Sequence, residues 1–288
     1  MKTTLLMKTM KSALALTCII ALGVAMTGCS TQASVPAAPA ATEAVTAPVT
    51  EGQLALIKEK GKIVLGTSAD YPPYEFHKTI DGKDTIVGFD IEIAKAVAKD
   101  LGVELEIVDM KFEGLLPALM GGKIDFIVAG MNPTEERKKS VAFSVEYYEA
   151  HQTILVATDQ KAVLNSLESF NGKAIGVQKG TLQEQIATEQ FKDSQVKAIG
   201  KIPDLIMELK TGKISGILLA DTVAKSYVTN NADLSINGMD LGSEGGVSIA
   251  MSKENPELTA EVNNTLEALM AAGKIDQWIT DANLMVEN

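Results

Sequence analysis

The sequence predicts an α/β protein of two lobes, each a mostly parallel sheet flanked by helices. Short apolar runs alternate with segments of helical periodicity, which is the pattern of a parallel α/β unit. The pattern runs once through residues 62–128 and again through residues 173–221. The 238 residues from 51 to 288 are also enough for two small domains.

The first unit alternates strands and helices after an opening helix. Residues 90–101 keep apolar side chains at helical spacing and stop at Gly102, a typical helix end. In the next segment apolar residues alternate with Glu104 and Glu106, which predicts a half-exposed strand. The predicted elements are a helix at 54–60, a strand at 62–67, a helix at 90–101, a strand at 103–107, a helix at 115–120 and a strand at 124–128.

The second unit repeats this order. The sequence Gly212-Lys213-Ile214 leads into a strand in the same way as Gly122-Lys123-Ile124 does in the first unit, which favours two similar lobes. The last segment, 254–288, returns to helix behind Asn255 and Pro256. The predicted elements of the second unit are a strand at 173–178, a helix at 182–190, a strand at 195–198, a helix at 202–211 and a strand at 214–220.

The N-terminal region has the pattern of an export signal and a tether. Three lysines precede an apolar run at 13–26 that is too short for a good membrane span, so residues 1–28 are predicted to be a signal peptide. Residues 25–29 resemble the lipobox of bacterial lipoproteins, which implies cleavage before Cys29 and lipidation of its thiol; ordinary secretion with a free Cys29 is the alternative. Residues 29–50, rich in Ala, Pro and Thr, are predicted to be a lipid-anchored flexible linker.

Charge and cysteine content exclude several classes of partner. Removal of the signal leaves 26 − 3 = 23 basic and 37 acidic residues, a net charge of about −14. Such a surface argues against nucleic acid and anionic lipid as direct partners. Cys18 lies in the signal, so Cys29 would be the single mature cysteine and no internal disulfide is expected. No Cys/His spacing predicts a metal site.

The sequence contains a single arginine, which lies in residues 129–140, where an apolar strand turns into a charged helix. Of 26 basic residues 25 are lysine, and the one arginine is Arg137. Backbone N–H groups at a helix start attract anions, and the planar guanidinium pairs with a carboxylate through two parallel hydrogen bonds. The alternative is a solvated charge beside Lys138 and Lys139.

A ligand with both charges would suit the predicted cleft. In sheets of this kind ligands bind beyond the carboxyl ends of the strands, which brings together residues 67–76, 130–137, 178–182 and Asp221. Arg137 would hold a carboxylate and Asp221 an ammonium group, the pair that an α-amino acid presents. The alternative for Asp221 is an N-cap of the helix that follows it.

Several segments together resemble the bacterial solute-binding proteins of polar amino-acid ABC transporters, which include the periplasmic glutamine- and lysine/arginine/ornithine-binding proteins. The resemblance covers nearly all of 51–288. It rests on 67–76 (TSADYPPYEF), 88–94 (GFDIEIA), 112–119 (FEGLLPAL), 129–140, Gly180-Thr181 and Ala220-Asp221.

The resemblance implies a periplasmic-binding-protein-like fold of type II, with two strands crossing between the lobes. Lobe 1 would comprise residues 51–153 and 247–288, and lobe 2 residues 154–246. The implied function is the substrate-binding component of an ABC importer, which captures a polar L-amino acid and delivers it to the permease. It implies no cofactor, metal or catalytic residue, and an extracytoplasmic monomer held at the bacterial cell membrane by its lipid.

The family pattern also implies site residues. Arg137 clamps the α-carboxylate with help from Thr134 and Thr181, while Asp221 and the Gly130 carbonyl take the α-amino group. Aromatic side chains sandwich the ligand side chain. The full expected set is Ser68, Tyr71, Phe112, Gly130, Asn132, Thr134, Arg137, Gln178, Thr181 and Asp221.

The identity of the amino acid is the least constrained expectation. Cation-selective relatives tend to carry an acid where this chain has Ser68, and the amide of Gln178 suits a neutral polar ligand. We therefore expect glutamine or a similar neutral amino acid first and arginine or lysine second, with Asp70 or Glu75 as the acid that a cation would need.

Two other functions stay open at this stage. An enzyme on the same fold, such as a dehydratase or a cell-wall lyase, would need a carboxylic acid with a raised pKa, and Glu75 is the candidate. An amino-acid sensor module is the other. No Walker motif, Gly-x-Ser-x-Gly, His-Glu-x-x-His or cysteine nucleophile is found in the sequence.

Overall fold

The computed structural model describes residues 52–243 and 245–287, which belong to one compact unit. The predicted signal at 1–28 and the predicted linker at 29–50, with Cys29, lie outside the described residues. Within the described part, every helix is too short or too polar to span a bilayer.

The chain first builds a lobe around one five-stranded sheet, with a separate three-stranded sheet, β2-β3-β4, beside it. Its elements are α1 Gln53–Lys60, β1 Lys62–Thr67, β2 Asp70–Tyr71, β3 Glu75–Ile80, β4 Lys83–Val87, α2 Phe89–Leu101, β5 Glu104–Asp109, α3 Phe112–Met120, β6 Phe126–Ile127, α4 Glu135–Ser140, β7 Ala142–Phe143 and β8 Tyr148–Glu149.

The chain then builds a second lobe on another five-stranded sheet and returns to the first. The second lobe contains β9 Gln152–Ala157, two 3₁₀ turns at Thr158–Gln160 and Leu167–Phe170, β10 Ala174–Gln178, α5 Leu182–Gln190, β11 Gln195–Ile199, α6 Ile202–Lys210, β12 Gly216–Ala220, α7 Asp221–Thr229 and β13 Leu234–Ile236. The returning elements are β14 Gly246–Val247, β15 Ala250–Met251, α8 Pro256–Ala271 and α9 Lys274–Glu287.

The two large sheets have the same topology, which confirms the predicted fold class. Their strand orders are β5-β1-β6-β15-β7 and β11-β10-β12-β9-β13. In each sheet the first three strands are mutually parallel and the last two run antiparallel to their neighbours. The antiparallel strands include β9 and β15, which follow the two crossings between lobes.

The sequence repeat corresponds to a repeat in packing. In the first lobe a Cβ added at Gly66 of β1 would lie 2.2 Å from the Ile124 side chain, and in the second a Cβ at Gly176 of β10 would lie 2.6 Å from that of Ile214. Both isoleucines are buried. A glycine in the central strand therefore leaves room in each lobe for the isoleucine of the Gly-Lys-Ile sequence.

Two short strands carry the chain between the sheets side by side. β8 pairs antiparallel with β14, with Glu149 opposite Gly246 and Tyr148 opposite Val247. β9 begins three residues after β8 and lies wholly in the second sheet, whereas β15 lies in the first. The lobe boundaries at 153/154 and 246/247 stay predictions, and this pair of strands is where we expect the lobes to hinge.

The C-terminal helices pack back on the first lobe. Asn255 caps α8 by accepting a hydrogen bond from Leu258 N at 3.3 Å, as its position before Pro256 predicts. Both α8 and α9 pack against α2. The end of α9 also meets the second lobe, where Asn230 Nδ2 donates to Val286 O at 3.1 Å.

Candidate functional site

A cavity of about 290 Å³, partly open to solvent, lies where the carboxyl ends of strands from both sheets face each other. Eight of the ten predicted site residues line it. The lining residues are Ser68, Tyr71, Glu75, Phe112, Ala129, Gly130, Asn132 and Arg137 from the first lobe and Gln178, Thr181, Leu182 and Gln183 from the second.

Arg137 is held at the wall of the cavity by both lobes. It lies in α4, whose N-cap Thr134 accepts a hydrogen bond from Arg137 N at 3.3 Å. The guanidinium donates from Nη1 to Asn132 O at 2.7 Å and from Nη2 across the cleft to Gly180 O at 2.9 Å. Its Cζ lies 5.3 Å from the centre of the Phe112 ring, within cation–π range.

The charge of Arg137 is available to an anion. Only 9 % of the residue is exposed, and burial lowers its pKa to about 10, which keeps it protonated at neutral pH. Acceptors among the described residues occupy two of its five N–H donors. The remaining donors fit a carboxylate.

Gly130 brings the backbone close to an aromatic ring. Its φ is +52°, and a Cβ there would lie 3.1 Å from the Tyr71 ring. Both the left-handed backbone and the close ring favour glycine. Gly130 N donates to Asp90 Oδ2 at 2.8 Å, so a buried carboxylate at the start of α2 fixes this turn.

Glu75 is a buried carboxyl with unused hydrogen-bonding capacity. It lies at the start of β3 with none of its surface exposed, and neither carboxylate oxygen has a hydrogen-bond partner among the described residues. Burial, then the nearby carboxyls of Asp90 and Asp70, raise its pKa well above 4.5, and the protonated form also interacts with the Asp90 carboxyl, although that contact lies outside hydrogen-bond geometry. Buried polar atoms without a partner are rare because desolvation is costly. Since Glu75 lines the cavity, a bound ligand can supply the partner.

Asp90 connects the cavity wall to the crossing strands. Besides Gly130 N, it accepts a hydrogen bond at 2.8 Å from the hydroxyl of Tyr147, the residue before β8. Burial raises the pKa of Asp90 to about 6, and the hydrogen bonds from Gly130 and Tyr147, followed by the contact with the Glu75 carboxyl, oppose that rise. Asp90 is thus satisfied by the protein, unlike Glu75.

The polar side chains of Ser68 and Gln178 are directed to Asp70 instead of standing free in the cavity. Ser68 Oγ donates to Asp70 Oδ1 at 3.1 Å, and Gln178 Nε2 donates to the same oxygen at 3.2 Å. Gln183 Nε2 donates to the Tyr71 hydroxyl at 3.3 Å. The contacts of Gln178 and Gln183 join the lobes, and all three contacts fix the orientation of the lining side chains.

Three of the predicted residues lie at the N-termini of helices. Thr134 caps α4 and does not line the cavity, while Thr181, which does, caps α5 by accepting from Glu184 N at 3.3 Å. Asp221 is the first residue of α7 and not its cap, since Ala220 holds the cap position. The side chain of Asp221 is 28 % exposed, accepts from Lys225 Nζ at 2.7 Å and lies outside the cavity lining. Ligand contacts by Thr134 and Asp221 stay predictions.

Two functional candidates emerge from the structure more clearly than from the sequence. Glu75 lies among aromatic and proline residues, a pattern equally typical of a structural carboxyl, and its position in the cavity wall is what makes it a candidate. Gln183 was not predicted at all. Its one sequence signal is that it follows the Gly180-Thr181 turn at a helix start.

Comparisons with known proteins agree with this geometry. Residues 63–281 match the family model described as bacterial extracellular solute-binding proteins, family 3. The arginine-binding extracellular protein ArtP of Bacillus subtilis is 37% identical over 231 residues, which are 77% of this chain and 87% of that protein.

Two solved structures show the same likeness. One is the amino acid ABC transporter substrate-binding protein AbpA of Streptococcus pneumoniae bound to L-arginine, 36% identical with a TM-score of 0.77, covering 81% of this chain and 99% of that one. The other is an ancestral amino acid-binding protein described as a precursor of cyclohexadienyl dehydratase, 35% identical with a TM-score of 0.73, covering 80% and 98%. The matched segment spans both sheets and the cavity, and the chain therefore belongs to the family 3 bacterial extracellular solute-binding proteins.

Proposed function

We propose that this chain captures a cationic L-amino acid, arginine before lysine, between its two lobes and delivers it to the permease of an ABC importer. The observation that carries the choice of ligand is the pairing of Arg137 and Glu75 on one cavity wall. The first offers free donors to an α-carboxylate, and the second is a buried acid whose oxygens have no partner among the described residues. A ligand with a carboxylate at one end and a cation at the other satisfies both.

This proposal reverses the order expected from the sequence, which favoured glutamine. That expectation rested on Ser68 and on the amide of Gln178, both of which hydrogen-bond to Asp70 in the structure. A neutral amide ligand could bond to Glu75 but would leave its charge unpaired when ionised. A guanidinium pairs with it and offers several donors.

The aromatic walls also suit a long cationic side chain. Tyr71 and Phe112 both line the cavity, and aromatic faces accommodate an aliphatic stem or a cation. For the α-amino group we retain Asp221 and the Gly130 carbonyl, which requires Asp221 to leave Lys225 when ligand binds. The family description supports an extracytoplasmic position. The lipid anchor at Cys29 is retained from the sequence alone.

Calorimetric titration of the purified protein with arginine, lysine, histidine, glutamine and citrulline tests the ligand. We expect arginine to bind tightest and citrulline, its neutral isostere, at least 100-fold more weakly. Thermal melting gives a parallel readout, because ligand at about 100 times its Kd adds about 2.7 kcal/mol to the unfolding free energy. Preference for glutamine over arginine after denaturation and refolding, which removes any copurified ligand, would overturn the proposal.

An enzyme is the second candidate, and the raised pKa of Glu75 is the observation that favours it. The two readings differ in the fate of the ligand. We expect NMR spectra of arginine incubated with stoichiometric protein to show only unchanged arginine, whereas a new product would favour the enzyme. Deletion of the gene should abolish uptake of labelled arginine, and intact uptake would favour a sensor instead.

A further inference from the structure

Asp70 connects the two lobes through donors from three separate segments of the second lobe. The residue lies in β2 of the first lobe and is 7 % exposed. Its Oδ2 accepts from Ile202 N at 2.9 Å and from Gln178 Nε2 at 3.3 Å. Its backbone carbonyl accepts from the Tyr227 hydroxyl at 2.9 Å. These donors come from the start of α6, the end of β10 and α7.

The contact with α6 places a carboxylate at a helix N-terminus. Ile202 is the first residue of this nine-residue helix, so its N–H has no partner within the helix. A negative charge at that position is also favoured by the helix dipole. When the lobes separate, water must replace both the N–H donor for Asp70 and the carboxylate acceptor for α6. Burial raises the pKa of Asp70, and the hydrogen bond from Ile202 N is the largest of the contacts that oppose that rise. Because this bond forms only while the lobes are together, it favours the closed arrangement, in which both lobes contact Asp70 as in this structure.

The hydrogen bonds of Asp70 leave little capacity for a ligand. Oδ1 accepts from Ser68 Oγ and Gln178 Nε2, and Oδ2 accepts from Ile202 N and Gln178 Nε2. Asp70 does not line the cavity, although Ser68 and Gln178 do. It differs in this from Glu75, which lines the cavity and has no partner among the described residues.

We propose that Asp70 is a latch between the lobes: it sets amino-acid affinity by stabilising the closed arrangement and by holding Gln178 in place, without contacting the amino acid. The effect on affinity rests on the proposed function, whereas the effect on closure does not. Because the ligand meets the open arrangement first, loss of the latch should raise the dissociation rate and leave the association rate unchanged. Because Kd is the ratio of the two rates, apparent affinity falls by the same factor as the dissociation rate rises.

The first test needs no ligand. In the closed arrangement the Ile202 amide is bonded to Asp70, and in the open one it exchanges with solvent as an unpaired helix-start N–H. We expect Asp70→Asn to speed hydrogen exchange of this amide in the free protein by about 10- to 100-fold. The matched control is Asp109→Asn, because Asp109 also joins the lobes, through Lys201 at 3.3 Å, but in a partly exposed pair. Asp109 Oδ1 also accepts from Ala69 N at 2.8 Å, a bond that the asparagine oxygen can keep. That variant should exchange within about threefold of wild type.

The second test separates a latch from a ligand contact. Asp70→Asn should weaken binding of arginine and of citrulline by the same factor, about 10- to 100-fold. Tyr227→Phe removes only the hydroxyl donor to the Asp70 carbonyl, so it should weaken binding of both ligands by a smaller factor. This variant replaces Asp70→Asn in the test if Asp70→Asn does not fold. Unchanged Ile202 exchange in both variants would overturn the latch. A loss confined to arginine would also overturn it, because Asp70 would then pair with the ligand charge. If wild type binds no amino acid, the proposed function fails and the exchange measurement alone decides the latch.

Discussion

Replacement of Glu75 by glutamine tests the structural basis of cation recognition. The amide has nearly the same shape as the carboxyl and cannot ionise. Glu75 is fully buried without a hydrogen-bond partner among the described residues, and burial raises its pKa well above 4.5, which favours its protonated form in the free protein. Glutamine imitates that neutral form, so the unfolding free energy of the ligand-free protein should change by no more than about 1 kcal/mol.

The effect on binding should be much larger. Removal of one partner from a buried ion pair costs about 3–5 kcal/mol, which corresponds to about 150- to 5,000-fold in affinity. Ionisation of any protonated Glu75 consumes part of this gain, so we expect arginine binding to be about 100- to 1,000-fold weaker in Glu75→Gln than in wild type. Citrulline binding should change by no more than about threefold, because the neutral ligand forms no ion pair.

Proton release is the specific signature of this mechanism. If a guanidinium binds ionised Glu75, a proton leaves for each arginine bound to the protonated form. Arginine affinity should therefore rise with pH, by up to about tenfold per unit below the pKa of the free protein, and level off above it. Titration calorimetry in buffers of different ionisation enthalpy measures the released protons, which should vanish in Glu75→Gln.

The control variant is Glu106→Gln. It removes the same charge from an exposed pair between Glu106 of the edge strand β5 and Lys62 of β1. Its arginine affinity should stay within about twofold of wild type. If Glu75→Gln binds arginine as wild type does, or if wild type releases no proton at any pH at which it is folded, the assignment of the cation to Glu75 is wrong.

Three further perturbations test other parts of the structure. Arg137→Lys should lower arginine affinity by at least 100-fold while leaving that of agmatine, which lacks the carboxylate, nearly unchanged; equal losses for both ligands in calorimetry would contradict the clamp. The pKa of Asp90 is about 6 in the folded protein against 3.8 for a free aspartate. Its contribution of about 3 kcal/mol to the unfolding free energy is therefore present below pH 3.8 and lost as pH rises through 6. In urea melts from pH 4 to 7, the unfolding free energy of Asp90→Asn should therefore not fall as that of wild type does. A fall of equal size in both proteins would refute this role of Asp90. Cys29→Ser should move the exported protein from the membrane to the soluble fraction, and continued membrane retention on fractionation would exclude the lipid anchor.

Much of the fold follows from local sequence patterns. Helix α2 was predicted to within one residue at its start, because its apolar spacing and Gly102 are local signals. The short helix predicted at 115–120 begins earlier, at Phe112, since Pro117 inside α3 and Gly114 near its start weaken the sequence signal without preventing the helix. The repeated Gly-Lys-Ile sequence predicted two similar lobes, and the matched burial of Ile124 and Ile214 explains the repetition.

The candidate site was predicted less evenly. Arg137 could be singled out because it is the sole arginine and lies at a strand-to-helix turn. The roles of Ser68 and Gln178 could not be predicted, because both side chains hydrogen-bond to Asp70. Asp70 is distant in sequence from its partners in the second lobe, 108 residues from Gln178 and 132 from Ile202. A hydroxyl or amide in a sequence does not reveal whether its partner is a ligand or the opposite lobe.

The sequence by itself determined the two-lobe α/β architecture, the strand-to-helix turns and the positions of Arg137 and Gly130, because periodicity, capping and backbone freedom act over a few residues. Tertiary structure alone decided which carboxyl remains available to a ligand. Asp70 is bonded to lobe 2, Asp221 to Lys225 and Asp90 to the crossing segment, and only Glu75 lines the cavity without a hydrogen-bond partner in the described structure. The physical reason is that the availability of a buried charge depends on which donors surround it, and those donors come from segments that only the packing of two lobes brings together.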